Sequence, residues 1–219
     1  MGPPPVTDRP HQLTRLTLGD AADAWRRAGF AVDANGSFRL GRTDVVALGT
    51  GRPGVLGWAL DGIDHSLDGL ATVDGHDDDD APDRSPSSHP NGITRLDHVV
   101  VSTGDCERTT AAFSSAGLEL RGTRSTTAFG SPVRQSFFWA GDVILELVGP
   151  DDGEPTTDEP TSILGLALVT DDLDATAEWL GDRVGTPKDA VQPGRRIATL
   201  RHRDLGLGLP VAIMTPHPR

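Results

Sequence analysis

Apolar residues are concentrated in three stretches of the chain, and polar tracts separate these stretches. In each stretch a short strand-like run comes first, a segment with helical spacing follows, and further strand-like runs close it. The tracts between them are rich in Asp, Glu, Pro, Gly, Ser and Thr, so we expect solvated linkers there. The predicted organisation is a flexible start at 1–10, ordered blocks at 11–72, 93–150 and 163–216, linkers at 73–92 and 151–162, and a tail at 217–219.

The second block shows this plan most clearly. The run "LDHVVVST" predicts a strand, and "GDCERTTAAFSSAG" predicts a helix with Asp105 in its first turn and Gly117 at its end. The run "RQSFFWAGDVILELVGP" predicts a hairpin that turns at Gly141 and Asp142. The order is therefore strand, helix, then further strands.

The other two blocks repeat the plan. Aligning Asp105 with Asp172 gives the third block a strand "ILGLALVTDD", a helix ending near Gly185, and a hairpin whose longer turn contains "LGLGLP". The first block resembles one such plan followed by "LGWALDGID", which matches the opening strand of the third block and is then cut short. The sequence thus predicts an α+β fold of repeated βαβββ units with a degenerate copy at the N-terminus.

Charge and composition narrow the range of functions. The net charge of -12, from 32 acidic and 20 basic side chains, would repel phosphate backbones, so nucleic acid is not an expected partner. No apolar run is long enough to cross a bilayer, and "MGPPPVTDRP" lacks the regions of a secretory signal. A single cysteine, Cys106, agrees with a reducing compartment. We therefore expect a cytoplasmic protein without a membrane partner.

The predicted hairpin of the second block can be divided into two faces, because side chains alternate along a strand. With a two-residue turn, Trp139 faces Ile144 and Phe137 faces Glu146. One face of the hairpin then consists of Gln135, Phe137, Trp139, Ile144, Glu146 and Val148. For Phe137 and Trp139, core packing is an alternative to ligand contact. Glu146 is harder to explain by packing, because burying an unpaired carboxylate is costly.

The repeated βαβββ order, with His98 in "LDH" and Glu146 in "DVILELVGP", resembles the vicinal oxygen chelate superfamily of glyoxalases, bleomycin-resistance proteins and dioxygenases. The resemblance covers residues 93–216 and implies two repeats whose curved sheets form a cup. It also implies a divalent metal held by one ligand from the first strand and one from the last strand of each repeat. In that topology these two strands are neighbours, which would place His98 next to Glu146.

Carried onto this chain, the implied metal set is incomplete. His98 and Glu146 occupy the ligand positions of their repeat, whereas the equivalent positions of the third block are Gly165 and Ala212, which cannot bind a metal. The expected cofactor is therefore none, or a weakly held divalent metal on His98 and Glu146. A His–Glu pair buried for structure alone is the alternative to a catalytic or ligand-contacting role.

The third block has small residues where the second has aromatic and acidic ones. By the same alignment its inner face consists of Arg196, Ala198 and Leu200 opposite Ala212 and Met214. An arginine there can pair with a carboxylate, phosphate or enolate, so Gln192, Arg195 and Arg196 are ligand-binding candidates beside Gln135, Phe137 and Trp139. The alternative is that Arg195 and Arg196 are surface residues that offset the acidic charge.

Three functions agree with these residues. The first is a glyoxalase-like lyase or isomerase in which His98 and Glu146 transfer protons on a small oxygenated substrate. The second is a binding protein of the bleomycin-resistance type, which captures a drug or metabolite without turnover. The third is a structural partner with a vestigial site. The sequence does not decide whether the protein is an enzyme. The expected partner is a small molecule, and the chain is expected to be a monomer or a homodimer.

Overall fold

The chain forms three successive repeats of strand, helix and further strands in a computed structural model, which describes residues 11–74, 88–127, 132–151 and 160–218. The predicted α+β class, with repeated βαβββ units and a degenerate N-terminal copy, is confirmed. The predicted flexible start, residues 75–87 and 152–159 of the predicted linkers, and residue 219 lie outside the described residues. Within the described ranges, no helix is both long and apolar enough to span a membrane.

The N-terminal repeat is the shortest of the three. Its elements are β1 (Leu13–Leu18), α1 (Ala22–Arg27), β2 (Ser37–Leu40), β3 (Thr43–Ala47) and β4 (Val55–Leu60). β1 pairs with β3 in parallel, and β2 and β3 form an antiparallel hairpin. No helix follows β4 within residues 61–74, so this strand opens a further plan that the described chain does not complete.

The second repeat contains the full set of strands. Its elements are β5 (Ile93–Ser102), α2 (Cys106–Ser115), β6 (Leu120–Thr126), β7 (Val133–Ala140) and β8 (Val143–Pro150). β5 pairs with β8 in parallel, while β8 pairs with β7 and β7 with β6 in antiparallel fashion. The predicted turn at Gly141 and Asp142 is confirmed. Gly141 has a φ of 64°, a conformation that glycine adopts without the steric cost of a Cβ atom.

The third repeat differs from its prediction in two places. Its elements are β9 (Ser162–Thr170), α3 (Leu173–Leu180), β10 (Lys188–Asp189), β11 (Arg196–Thr199), α4 (His202–Leu205) and β12 (Val211–Met214). The helix predicted to end near Gly185 ends at Leu180, where Gly181 has a φ of 58° and a 3-10 turn follows. The predicted long hairpin turn instead contains α4.

The second and third repeats use the same polar residues to join the first strand to the helix. In the second repeat, the Asp105 carboxylate accepts a hydrogen bond from the Arg108 amide at 3.0 Å, and the Thr109 hydroxyl lies 2.8 Å from that of Thr103. The third repeat has the same arrangement in Thr170, Asp172, Ala175 and Thr176. Such a cap satisfies helix amides that lack a partner within the helix and contributes about 1 kcal/mol.

The repeats do not correspond one by one to the compact units of the fold. Unit 1 is drawn from residues within 1–14, 57–75 and 98–164, and unit 2 from residues within 15–56, 76–97 and 165–219. Unit 1 therefore holds most of the second repeat, while unit 2 combines parts of the first repeat with the third. Several strands, β5 among them, begin in one unit and continue in the other.

The sheet of unit 1 has two different faces. On one face, apolar side chains of β5, β7 and β8 are completely buried beneath α2, where the rings of Phe113 and Phe138 lie 5.2 Å apart. Each fully buried side chain of this kind contributes about 1.5–3 kcal/mol. We call this the helix face. The opposite face carries His98, Phe137 and Trp139, which are only partly buried, and we call it the open face.

Unit 2 contains an aromatic cluster with a buried histidine. The rings of Trp25, Phe30 and Phe38 pack at centroid distances of 5.0–5.3 Å. His89, which falls in the predicted linker at 73–92, is buried against them. Its Nδ1 accepts from the Ala31 amide, so its Nε2 carries the proton and donates to a backbone carbonyl 2.8 Å away. Burial lowers the pKa of His89, because the charged form is disfavoured there.

We expect this histidine to make folding pH-dependent. Because the pKa of His89 is lower in the folded state, the unfolded state binds more protons below about pH 6.5, and stability present at neutral pH is lost as the pH falls through that window. Urea unfolding at pH values between about 7 and 5 measures the slope of the free energy of unfolding against pH. The slope should be smaller in His89→Gln, and the exposed His65 provides the control, since His65→Gln should leave it unchanged.

Candidate functional site

The open face of unit 1 brings the predicted residues of the second repeat together. Phe137 lies opposite Glu146, Trp139 opposite Ile144 and Ala140 opposite Val143, so the predicted hairpin register is confirmed. β5 adds His98 beside Ile144, and Val100 beside Glu146. Since residues paired in this way share a side of the sheet, His98, Phe137, Trp139 and Glu146 all lie on the open face.

His98 and Glu146 are neighbours on this face, as the family topology implies. His98 Nε2 lies 3.5 Å from Glu146 Oε2, and each side chain is only 12% exposed. This separation is longer than a normal hydrogen bond. The pair therefore presents an imidazole nitrogen and a carboxylate oxygen side by side, next to two partly exposed aromatic rings.

Glu146 has a second partner that the sequence did not predict. Gln135, predicted only as a ligand-contacting residue, donates from Nε2 to Glu146 Oε1 and is itself 4% exposed. The two oxygens of the carboxylate thus have different surroundings: Oε1 accepts from an amide, and Oε2 faces His98. A donor at Oε1 offsets part of the cost of burying the carboxylate.

Arg124 on β6 completes this polar row, and sequence reasoning missed it. Its Nε donates to Gln135 Oε1 at 2.7 Å, and its guanidinium carbon lies 5.4 Å from the centre of the Phe137 ring. The strand β6 is polar and exposed, so apolar periodicity gave no signal for it. Cross-strand register is the signal that finds it, because Arg124 lies directly opposite Gln135. We call Arg124, Gln135, Glu146 and His98 the polar row.

The third repeat has no metal-ligating side chains at the two matching positions. Ala212 lies opposite Ala167 as Glu146 lies opposite Val100, so the alignment that equates Ala212 with Glu146 holds in the structure. At Gly165, an added Cβ would lie only 3.1 Å from the Pro210 carbonyl oxygen, leaving little room for a side chain. Within the described ranges, no group of three or more His, Cys, Asp or Glu side chains could hold a metal. The residues therefore do not fit the four-ligand site that the family resemblance implies.

The predicted inner face of the third repeat is wrong by one residue. Thr199 lies opposite Ala212 and Ile197 opposite Met214, so Arg196 is on the other side of the strand. There it forms an ion pair with Asp174 of α3 at 2.7 Å. The physical reason is the turn, because α4 occupies the connection and sets a different register from that of a simple hairpin.

Arg195 and Gln192 lie in a buried cluster of unit 2. Arg195 donates to both carboxylate oxygens of Asp97 at 3.0 Å and to Gln192 Oε1 at 2.8 Å. Arg195 is only 2% exposed, so the alternative that it is a surface residue is wrong. A bidentate arginine–carboxylate pair in such a setting is held rigidly. Its contacts are with protein groups, and a ligand-binding role for Arg195 or Gln192 stays a prediction.

Known proteins similar to this chain include one family and several solved structures. A family model of the Glyoxalase/Bleomycin resistance protein/Dioxygenase superfamily matches residues 97–199. The solved structure of a mutant 4-hydroxymandelate synthase from Streptomyces coelicolor is 16% identical, with a TM-score of 0.62 over 96% of this chain and 94% of that chain. The methylmalonyl-CoA epimerase from Mycobacterium tuberculosis is 21% identical, with a TM-score of 0.45 over 58% of this chain and 91% of that chain. A methylmalonyl-CoA epimerase from Streptomyces coelicolor is 25% identical, with a TM-score of 0.45 over 57% of this chain and 99% of that chain. No curated protein matches the sequence.

The contact between Gln135 and Glu146 should be measurable as a coupling energy. Gln135→Met keeps the volume but leaves Glu146 Oε1 without its donor, so we expect the free energy of unfolding to fall by about 1–3 kcal/mol. In a Glu146→Met background the same change should cost much less, because both polar partners are then gone. Urea unfolding of the four proteins gives the coupling. Equal losses of unfolding free energy in both backgrounds would show that the contact contributes nothing to stability. Glu119→Gln, at an exposed carboxylate, is the control.

Proposed function

Residues 97–199 belong to the glyoxalase, bleomycin-resistance and dioxygenase superfamily, and on this premise we propose that the open face of unit 1 binds a small oxygenated organic molecule and transfers a proton on it. The observation that carries the proposal is the position of His98 Nε2, 3.5 Å from Glu146 Oε2 on a partly exposed aromatic face.

The proposed reaction is proton abstraction beside a carbonyl group. Glu146 removes the proton from the carbon with Oε2, the oxygen that Gln135 does not occupy. The electron pair of the C–H bond forms a C=C bond to the carbonyl carbon, and the π pair of the carbonyl moves onto its oxygen. His98 Nε2 donates a hydrogen bond to the enolate oxygen that forms. Return of the proton to the same or a neighbouring carbon gives an epimer or an isomer, and departure of a β-substituent gives a lyase reaction.

The aromatic residues support the binding half of this proposal. Phe137 lies opposite Glu146 on β7, and Trp139 lies two residues further along the same face. Both are partly exposed, so they offer apolar surface to a ligand that contacts the carboxylate. Across the strand from Phe137, an added Cβ at Gly122 would meet no atom of the described residues within 4 Å, so the sheet surface is open at Gly122 itself.

The proposal is tested by exchange of carbon-bound hydrogen with solvent. A panel of small ketones, 2-oxo acids and β-oxo acids in deuterium oxide, followed by proton NMR, should reveal compounds whose exchange the protein accelerates. For such a compound, Glu146→Gln should lower the rate by about 10²–10⁴-fold, because the base is removed while the shape is kept. His98→Gln should also lower it, and Glu119→Gln should not.

Two results would contradict proton transfer. Unchanged exchange in Glu146→Gln would remove the base from the mechanism. Binding of a panel compound, seen as a change in Trp139 fluorescence that Trp139→Phe abolishes, without exchange of any compound would favour the non-catalytic binding protein.

Metal content tests the alternative in which His98 and Glu146 hold a divalent ion with water and substrate. The metal-free proposal predicts less than about one equivalent of divalent metal in protein purified without chelator, since a pair of protein ligands is few for a tight site. One equivalent that disappears in both His98→Gln and Glu146→Gln would overturn the metal-free mechanism in favour of this alternative.

A further inference from the structure

Gln135 contacts the proposed base and Arg124 contacts Gln135, but neither residue takes part in the proton-transfer step itself. Arg124 Nε donates to Gln135 Oε1 at 2.7 Å, and Gln135 Nε2 donates to Glu146 Oε1. We infer that these residues are positioning residues that keep Glu146 Oε1 as an acceptor and leave Oε2 as the oxygen presented to His98 and a ligand. The inference deepens the proposed function and rests on it.

The Arg124 side chain fixes the orientation of the Gln135 amide. A guanidinium has only hydrogen-bond donors, so the atom of Gln135 that faces Arg124 must be the acceptor Oε1. The amide nitrogen Nε2 of Gln135 then points at Glu146, and an amide nitrogen can only donate. Arg124 therefore determines the orientation of an amide that could otherwise turn over.

The orientation of the Gln135 amide in turn determines how the Glu146 carboxyl group can be protonated. Glu146 Oε1 must always accept from Gln135, because a proton on Oε1 would point at the N–H proton of Gln135 Nε2. When Glu146 gains a proton, that proton is placed on Oε2, the oxygen 3.5 Å from His98 Nε2. The proton is thus held on the side of the carboxyl group where a ligand and His98 can exchange it.

The surroundings make this orientation rigid. Gln135 is 4% exposed and lies on an interior strand between β6 and β8, so it has little freedom to choose another partner. The guanidinium of Arg124 lies over the Phe137 ring, which limits the movement of an otherwise exposed side chain. A methionine at position 124 would keep most of the apolar stem and remove every donor.

The test uses Glu146→Gln as a permanent imitation of the protonated carboxyl group. Its new side-chain amide has one oxygen and one NH₂ group, which must choose between the Oε1 and Oε2 positions. We expect NMR cross-peaks between this NH₂ group and the His98 ring, because the position beside Gln135 accepts only an oxygen. Adding Arg124→Met should weaken these cross-peaks by at least about half, since the Gln135 amide is then free to turn. Adding Arg124→Lys, which still donates, should preserve them.

Arg121→Met on the same exposed strand is the matched control and should change nothing. The inference is overturned if the NH₂ group at position 146 faces Gln135, or if Arg124→Met leaves its cross-peaks with His98 intact. These spectra need no ligand, so they are independent of the exchange assay. Where the wild-type protein exchanges a panel compound, Arg124→Met should lower the exchange rate at least about tenfold while affinity for that compound changes little. Loss of affinity instead of rate would assign Arg124 to ligand binding and overturn the positioning role.

Discussion

A carboxylate that is almost entirely buried in a sheet must be given hydrogen-bond donors, and Glu146 depends on this constraint. It lies on β8 between leucines that belong to the helix face, yet its own side chain emerges on the open face. Leaving such a group unpaired would cost several kcal/mol. Gln135 meets the requirement at one oxygen, and the other oxygen is left facing His98. The chemistry that the face can perform follows from this unequal division.

The second and third repeats share the residues that stabilise the fold and differ in the residues of the candidate site. Both repeats keep the capped strand-to-helix junction, and both keep an ion pair from the sheet to the helix, Arg134 with Glu107 and Arg196 with Asp174. The open-face residues, in contrast, differ at every matched position. His98, Gln135, Phe137 and Glu146 of the second repeat correspond to Gly165, Ile197, Thr199 and Ala212 of the third.

This division explains how the repeat can persist while the polar row is confined to one copy. Caps and sheet-to-helix ion pairs act within a repeat and stabilise it whatever its open face carries. At the positions that match His98, Gln135 and Glu146, the third repeat has Gly165, Ile197 and Ala212, whose side chains form no hydrogen bonds. A four-ligand metal centre needs both copies, whereas a proton-transfer pair needs only neighbouring strands of one. The polar row is complete within unit 1.

Local pattern in the sequence determined the elements and much of the site. The alternation of "RQSFFWAGDVILELVGP" around a two-residue turn was sufficient to place Phe137 opposite Glu146, and repetition of the plan gave the α+β class. The closeness of His98 and Glu146 came from the family topology rather than from spacing. Tertiary structure alone decided the rest. Arg124 reaches Gln135 through strand pairing, and Arg196 turns to the helix side because α4 resets the register of β12. Periodicity reports which side of a strand a residue occupies, but pairing partners depend on register, and register is set by connections whose geometry the pattern does not encode.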